Sequence, residues 1–412
     1  MSDQPQPVVA PSGADSRLRR TYNVLMIAPT SFFADYGCHV RILEEASILQ
    51  RLGNRVTVCT YNRGRDIPGL DIRRTAAIPW RTDYEVGSSR HKVAFDALLA
   101  WKSLAVALPT RPDIIHGHLH EGALIGSLVG KVVGAPLVFD FQGSMTAEMV
   151  DHRFLDPQGK LYRPLRWLEE RIVQLPKAII TSSHHAAELL QKEFSCPGSK
   201  ITAISDCVNA DFFAPARSAA AVSELGAALG IPAEREVVVY LGLLAQWQGT
   251  DLLLQAAAEL LLRRPNVHFL IMGFPSVEIY QSLAQNLGVA DHVTFTGKIP
   301  YEQAPSYLGI GDVAVAPKMS TTEGSGKLLN YMAMGIPTVA FDVPVSREYL
   351  GDLGIYAQPG DTSSLALALE TALDRKDASQ ALGLALRERV IQRHSWSVAG
   401  ESILEVYDRV SA

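Results

Sequence analysis

The sequence contains little of what marks several large classes of protein. Its 412 residues include only four cysteines, which stand far apart and form no Cys-x-x-Cys pair: Cys38, Cys59, Cys196 and Cys207. Such spacing argues against a disulfide framework and is typical of reduced cysteines in a cytoplasmic protein. A basic excess is also missing, because the formal net charge is −5, and this disfavours nucleic acid as a partner.

Long apolar runs and an apolar N-terminus are absent as well. The longest apolar stretch, residues 122–139, is interrupted by Lys131 and Pro136, so we expect a buried helix followed by a strand rather than a membrane span. Residues 1–20 are polar and end in arginines, so we expect a flexible tail there and no signal peptide. Neither half has Gly-x-Gly-x-x-Gly after its first strand, which counts against a nicotinamide or flavin site.

Alternating apolar segments predict an α/β protein. With 47% hydrophobic and 20% charged residues, the chain has the composition of a soluble globular protein of two or three domains. Strands are predicted at 22–28, 55–60, 114–116, 137–139 and 178–181, and again at 237–241, 267–272, 293–295, 313–316 and 338–341. Helical segments separate them, and this alternation forms parallel sheets with helices on both faces, hence two doubly wound domains.

The break between the two series of strands sets the domain limits. We predict a first domain over residues 21–210, a second over 211–395, and a final helix within 396–412 that packs back toward the first domain. In doubly wound folds ligands bind beyond the carboxyl ends of the strands, so the cleft between the domains is the expected site.

Residues 323–339 predict an anion-binding helix start. Two glycines and a serine open the helix, Lys327 follows at once, and Asn330 lies one turn further on the same face. The first N–H groups of a helix have no partner within it, and glycines let a phosphate approach them closely. The segment is not a P-loop, because Leu328 follows the lysine. An ordinary helix with a glycine-rich start remains the alternative.

Three histidines alternate at the end of the third predicted strand: His116, His118 and His120, followed by Glu121. On a continuing strand all three would share one side, and a His-x-His pair can bind a metal ion. A structural histidine at a strand end and a histidine that contacts substrate are the alternatives, and we expect no metal.

Taken in order, these segments resemble a family 4 glycosyltransferase of the GT-B fold from about residue 22 onward. The resemblance is carried by Pro-Asp-Ile-Ile-His-Gly-His at 112–118, Ile-Thr-Ser-Ser at 180–183, the segment 204–215, and Tyr-Met-Ala-Met-Gly-Ile-Pro-Thr-Val at 331–339. It implies a retaining enzyme that moves a sugar from a nucleotide diphosphate sugar to a glycan, lipid or small-molecule acceptor. It also implies that no cofactor and no essential metal are needed.

The resemblance implies roles for individual residues of the cleft. His118 would orient the transferred sugar, Glu323 would hold sugar hydroxyls, and Lys327 would stabilise the leaving diphosphate. Six residues would bind the donor through its base, ribose and phosphates: Gly37, Gly297, Ile299, Ser325, Gly326 and Asn330. Four residues in loops that follow strands are candidates for the acceptor side: Phe33, Asp35, Asp140 and Gln142.

The sequence departs from the family pattern at the expected diphosphate and ribose contacts. The family usually has an arginine and, five residues later, a lysine on the donor diphosphate, but Leu243 and Gln248 stand in those places. Asn330 likewise stands where a glutamate is usual, and it can bond a ribose hydroxyl only as a neutral group. Two other hypotheses therefore stay open: a GT-B enzyme of another type, such as a nucleotide-sugar epimerase, and a catalytically silent binding protein.

A basic and aromatic segment at 163–171 leaves contact with a membrane surface open, although a solvent-facing helix is the simpler interpretation. We therefore expect a cytoplasmic protein, with peripheral contact at the inner face of the membrane as the alternative position.

Overall fold

The computed structural model describes residues 20–33, 37–77, 92–151, 154–215, 218–320 and 324–412. The predicted N-terminal tail lies outside these residues except for Arg20, and so do two predicted site residues, Asp35 and Glu323.

The first half of the described chain alternates strands and helices. Its strands are β1 (Asn23–Ala28), β2 (Arg55–Thr60), β3 (Asp71–Arg74), β4 (Ile114–His118), β5 (Leu137–Phe141), β6 (Ala178–Thr181) and β7 (Ile201–Ala203). Its helices are α1 (Gly37–Arg51), α2 (Lys92–Thr110), α3 (Leu119–Val133), α4 (Met145–Asp151), α5 (Tyr162–Gln174) and α6 (His184–Glu193).

These strands form one parallel sheet in the order β3-β2-β1-β4-β5-β6-β7. The residues of β4 and β5 are buried throughout, as expected for parallel strands covered on both faces. Side chains of α1 share a core with one face of the sheet, and side chains of α2, α3 and α5 share a core with the other.

The second half repeats this arrangement. Its strands are β8 (Glu236–Leu241), β9 (Val267–Met272), β10 (Val293–Gly297), β11 (Val313–Ala316), β12 (Thr338–Phe341) and β13 (Ile355–Ala357). Its helices are α7 (Ala219–Ala228), α8 (Thr250–Leu261), α9 (Val277–Asn286), α10 (Ala304–Leu308), α11 (Gly326–Ala333), α12 (Pro344–Leu350), α13 (Thr362–Asp374), α14 (Lys376–Arg393) and α15 (Trp396–Ser411). The strands pair in parallel in the order β10-β9-β8-β11-β12-β13, with a core on each face.

The last helix, α15, crosses back to the first sheet. Its side chains Ile403 and Tyr407 belong to the same core as Ile48 of α1. The approach is close at Gly400, where an added Cβ would stand 2.6 Å from Ile48 Cγ1. The chain passes between the sheets twice, once after β7 and once between α14 and α15. These two connecting segments pair through a parallel bridge between Val208 and Ser395.

The predicted fold class is confirmed, because both halves are parallel sheets covered by helices. Three strands were not predicted from the sequence: β3, β7 and β13. Each is three or four residues long and lies at a sheet edge, and most of its residues are only partly buried. Edge strands need less apolar surface, so their sequence signal is weak.

Two local expectations need correction. Helix α3, expected to be buried, buries eight of its fifteen residues but exposes Leu124, Leu128 and Val132 on its outer face. His120 does not continue the alternation of His116 and His118, because β4 ends at His118 and Leu119, with a φ of +58°, turns the chain into α3.

Candidate functional site

Both sheets have a switch point where the strand order reverses, and ligands of doubly wound folds bind beyond the strand ends there. In the first sheet this point lies between β1 and β4, so the residues after Ala28 and His118 are placed at it. In the second sheet it lies between β8 and β11, so the segments after Leu241 and Ala316 are placed at it. The predicted site residues fall in or near these segments.

The side chain of Lys327 lies at the switch point of the second sheet. Its Nζ donates to Gln248 Oε1 at 2.8 Å and to the Tyr240 hydroxyl at 3.2 Å, and it stands 4.3 Å from the centre of the Tyr240 ring. Gly242 makes room for it, because a Cβ there would stand 2.6 Å from Nζ. The fold therefore brings Lys327 and Gln248 together, and the neutral amide of Gln248 accepts a hydrogen bond from the ammonium group.

The start of α11 has the features of an anion site. Ser325 precedes the helix without a side-chain cap, and its Oγ is buried with no hydrogen-bond partner in the part of the chain that the structure describes. A Cβ at Gly326 would meet no described residue within 4 Å, so that part of the first turn is open. The Lys318 ammonium, only 7% exposed, donates to the Gly324 carbonyl at 2.7 Å and adds a second positive charge nearby.

The other predicted donor-binding residues are two glycines with no described neighbour at the Cβ position and two partly buried side chains. Gly37 and Gly297 have φ values of +38° and +69°, which favour glycine, and an added Cβ would meet nothing within 4 Å at either. Asn330 is half-buried on α11, and Ile299 packs its side chain against the core below the second sheet. Their contacts with a donor stay predictions.

A buried charge network fills the first half of the site. The Arg41 guanidinium pairs with Asp140 at 2.9 Å, with Asp206 at 2.8 Å and with Glu45 at 3.0 Å. Gln142 adds a hydrogen bond from Nε2 to Asp140 at 2.6 Å. Three carboxylates thus share one guanidinium in an interior where charge is poorly solvated.

The network shifts the pKa values of its carboxyl groups in opposite directions. Burial raises the pKa of Glu45 well above its ordinary value of 4.5, and the neighbouring Asp140 raises it further. Burial alone would also raise the pKa of Asp140, but the Arg41 charge and the hydrogen bond from His118 hold it well below its ordinary value. Asp140 is therefore the ionised carboxylate, and Glu45 is the group that favours a proton.

His118 is held in this network by Asp140. Its Nδ1 donates to Asp140 Oδ2 at 3.0 Å, while its Nε2 is buried without a hydrogen-bond partner among the described residues. The His116 ring stacks on it at 4.6 Å, and His116 Nδ1 lies 2.6 Å from the Tyr407 hydroxyl of α15. Burial lowers the pKa of His116 well below its ordinary value, so that ring is neutral.

One group of side chains could be considered for a metal ion. One ligand atom each from Glu45, His116 and His118 lies within 4.8 Å of the others. The donor set fits poorly, because the two imidazole planes are stacked at an angle of only 11° and their in-plane lone pairs run nearly parallel. The Arg41 guanidinium, 3.0 Å from Glu45, already supplies a positive charge there.

The two halves of the site touch. At Gly324 an added Cβ would stand 2.4 Å from Asp206 Oδ2, so the segment before α11 lies directly on the first half. The single backbone N–H of His184, at the start of α6, donates to both carboxylate oxygens of Glu348, at 3.0 and 3.1 Å. Arg65 and Glu302 form an ion pair across the halves at 2.9 Å.

The acceptor-side candidates occupy different environments. Asp140 and Gln142 belong to the buried network. Phe33 is 2% exposed, and its ring packs edge-on against Tyr301 of the second half with ring centres 6.1 Å apart. Their role toward an acceptor stays a prediction, and Asp35 and Glu323 lie outside the described residues.

Five residues of the site were not singled out from the sequence: Arg41, Glu45, Asp206, Tyr240 and Lys318. Arg41 and Glu45 are spaced as an i, i+4 pair on α1, which is typical of a solvent-facing helix surface. Their burial goes with partners that are distant in the sequence, Asp140 and Asp206. Lys318 and Tyr240 could have been found as polar side chains next to the ends of β11 and β8.

Two family models match the chain. One is described as Glycosyltransferase Family 4 and matches residues 37–212, and the other is described as Glycosyl transferases group 1 and matches residues 223–389. A D-inositol 3-phosphate glycosyltransferase of Thermobispora bispora is 27% identical over 392 residues, which span 90% of this chain and 89% of the relative. An alpha-D-kanosaminyltransferase of Streptomyces kanamyceticus is 26% identical over 72% of this chain and 77% of its own length.

Solved structures show the same fold at lower identity. Sucrose-phosphate synthase of Thermosynechococcus elongatus superposes with a TM-score of 0.81 at 19% identity, over 95% of this chain and 99% of that protein. HepE of Anabaena, solved in complex with UDP-glucose, gives a TM-score of 0.75 at 16% identity, over 94% of this chain and 100% of its own. These likenesses confirm the predicted GT-B fold class.

Proposed function

We propose that this chain, which belongs to family 4 of the group 1 glycosyltransferases, takes its sugar from a nucleoside diphosphate donor bound at the start of α11. The observation that carries the proposal is the Lys327 ammonium, which stands beside Gly242 and next to an uncapped helix start. The complex of HepE with UDP-glucose supports this class of donor on the same fold.

The leaving diphosphate would be stabilised by charge and by backbone groups. The N–H groups of Ser325 and Gly326 would donate to phosphate oxygens, and Lys327 would turn its ammonium from Gln248 toward them. Gly326 carries no side chain, so a phosphate can approach the backbone there closely, while the missing side chain of Gly242 leaves room for the Lys327 ammonium. Because Gln248 is neutral, Lys327 is left with more of the diphosphate charge than it would have beside a second cation.

The transferred sugar would contact the first half of the site. Asp140 fixes the proton of His118 on Nδ1, which leaves Nε2 as an acceptor for a sugar hydroxyl. His118 would thus orient the sugar through a hydrogen bond. Glu323 would hold other sugar hydroxyls and Asn330 the ribose, by their resemblance to family positions.

We infer a retaining transfer without an essential metal from membership of the family. The stacked geometry of His116 and His118 supports a transfer without a metal ion, because the two ring planes are nearly parallel and their lone pairs do not converge. The acceptor, a glycan, a lipid or a small molecule, stays a prediction, and so does a cytoplasmic location.

Titration calorimetry on a Lys327→Ala variant tests the diphosphate site. A charge-assisted hydrogen bond contributes about 1.5–3 kcal/mol, so the affinity for the best binder among UDP, ADP and GDP should fall by roughly ten- to a hundredfold. The affinity for the corresponding nucleoside should stay nearly the same, because it carries no phosphate.

A Lys376→Ala variant is the matched control, because it removes a lysine at the start of α14, outside the proposed site. It should leave both affinities unchanged. Equal losses for nucleoside and nucleoside diphosphate in the Lys327→Ala protein would place Lys327 outside the phosphate site.

A further inference from the structure

Large apolar side chains are concentrated on the outer faces of three helices of the first half. Seventeen large apolar residues are exposed among those the structure describes, and ten of them lie on or next to α2, α3 and α5: Val93, Trp101, Leu108, Leu124, Leu128, Val132, Leu161, Trp167, Leu168 and Leu175. Scattered single exposures are normal, but a concentration of this size on adjacent elements marks an interaction surface.

Helix α2 is the most apolar part of this surface. It is the described helix that is long and apolar enough to cross a membrane, yet only 17% of its apolar window is buried. It packs inward through Leu99, Ser103 and Ala107, while Trp101 is 72% exposed and Leu108 55%. A soluble helix normally turns a polar side outward, whereas α2 carries large apolar residues on its outer side as well as on its buried side.

The three helices form one continuous face. They pack side by side on the same face of the first sheet, over the core that contains Leu99, Val129 and Ile172. Helix α3 lies in the chain between the other two and exposes Leu128 at 57% and Val132 at 61%. We call the outer surface of α2, α3 and α5 the apolar face.

The apolar face carries exposed cations. Lys131 of α3 and Arg163 and Arg171 of α5 are exposed and have no acidic partner among the described residues. Arg171 instead lies over the ring of Trp167, 5.2 Å from its centre. Stems of arginine and lysine cover apolar surface while their heads reach outward, as at a membrane boundary.

The acidic residues of the same helices are engaged. Asp96 accepts from the Tyr61 hydroxyl, Glu121 pairs with Lys92, and Glu170 stands 3.7 Å from Arg166. Glu169 is fully buried and accepts from Ser144 and Thr146. A chain with a formal net charge of −5 therefore presents free positive charge on this face.

We propose that the apolar face docks on the surface of a lipid bilayer that contains anionic headgroups. Its tryptophans and leucines would enter the headgroup boundary, where aromatic residues are favoured, and Lys131, Arg163 and Arg171 would contact anionic lipids. A second copy of this chain fits less well, because a two-fold interface would place this face against the same face, whose acidic residues on α2, α3 and α5 are already engaged.

Flotation with lipid vesicles tests the proposal on the full-length protein, without any donor present. Vesicles of phosphatidylglycerol and phosphatidylcholine in equal parts should float the protein, and vesicles of phosphatidylcholine alone should float much less of it. Reversal or removal of each cation should weaken binding by about fivefold, and the loss should shrink at high salt. Arg163→Ala and Arg171→Ala measure this part.

The apolar contribution is tested with a double variant, Trp101→Ser with Leu128→Ser. Both side chains are exposed, so the melting temperature should stay near that of the wild type while binding falls at least about tenfold. The control is Leu262→Ser with Leu384→Ser, which removes two equally exposed leucines elsewhere and should bind as the wild type does.

The proposal is overturned if the wild type floats with neither vesicle, or if the control loses as much binding as the face variant. It is also overturned if light scattering shows a dimer that the face variant dissociates, since the face would then join two copies. Because no nucleotide is used, these outcomes are separate from the success or failure of the proposed donor site.

Discussion

Gln248 holds the Lys327 ammonium at 2.8 Å, at a position where the family resemblance leads one to expect a second cation. Without a ligand, glutamine in place of a cation at position 248 removes a repulsion, because two ammonium groups at that distance in a half-buried pocket would destabilise each other. With a diphosphate bound, the same exchange removes an attraction. Gln248 therefore stabilises the protein without ligand relative to its complex with a nucleoside diphosphate.

The variant Gln248→Lys should reverse this balance. A second charge-assisted bond should tighten the best-binding nucleoside diphosphate by about ten- to a hundredfold in calorimetry, since each such bond contributes about 1.5–3 kcal/mol. The melting temperature without ligand should fall. Gln248→Met, of similar length and without charge, is the control. Tighter binding by the methionine variant as well would show that charge is not the cause.

Glu45 gives a pH dependence of stability. Its pKa is raised in the folded protein, so the stability it contributes is fully present below the unfolded value of about 4.5 and is lost as pH rises through the folded pKa. Glu45→Gln cannot ionise, and relative to it the wild type should lose free energy of unfolding from about pH 5 upward. Urea unfolding at several pH values from 5 to 8 measures the difference.

His116 acts in the opposite direction, because its lowered pKa costs stability as pH falls below its ordinary value of 6.5. It is present in both proteins, so the comparison of the two slopes isolates Glu45. Identical slopes for wild type and Glu45→Gln would show that Glu45 stays ionised beside Arg41.

At the level of the elements, α15 joins the end of the chain to the first sheet. Its Tyr407 hydroxyl reaches His116, and its Gly400 lets the helix approach Ile48 of α1. The helix therefore contacts, through His116, the ring that stacks on His118. Its position depends on residues that are far apart in the sequence: Tyr407 and His116 are separated by 291 positions. The local sequences of α1 and β4 therefore do not predict it.

Two alanine variants of helical glycines test this packing. Gly400→Ala places a Cβ 2.6 Å from Ile48 Cγ1 and should destabilise the protein by about 1–3 kcal/mol. Gly226→Ala, in α7, meets nothing within 4 Å and should stabilise it by about 0.5–1 kcal/mol. Thermal unfolding reports both changes. A neutral Gly400→Ala would mean that α15 packs less closely than the structure shows.

The central strands could be predicted from the sequence, because strands buried on both faces are continuous apolar runs. The predicted segments at 55–60, 178–181, 267–272 and 313–316 coincide with strands of the structure, and β3, β7 and β13 were missed because edge strands are short and half-exposed. Local signals also place Lys327 and Ser325 at a helix start. The network around Arg41 could not be predicted, since charged residues on a helix normally indicate solvent.

Across the whole molecule, the two halves meet closely over the site. The Glu348 carboxylate and the Gly324 segment of the second half rest on the first half, and His118 is fully buried. We expect the halves to separate when a sugar enters toward His118 Nε2 and to close again around the donor. Such closure excludes water from a reaction in which a diphosphate leaves.

The central claim is that the donor diphosphate binds the second half while His118 of the first half orients the transferred sugar. Its most direct test is the release of nucleoside diphosphate from a panel of nucleotide sugars and acceptors by wild type and His118→Ala, with a chelator present. The account predicts turnover by the wild type and a loss of about a hundredfold in kcat for the variant, with the Kd for the nucleoside diphosphate nearly unchanged. Binding without any turnover in the wild type, or equal losses of kcat and nucleotide affinity in a folded His118→Ala protein, would contradict it.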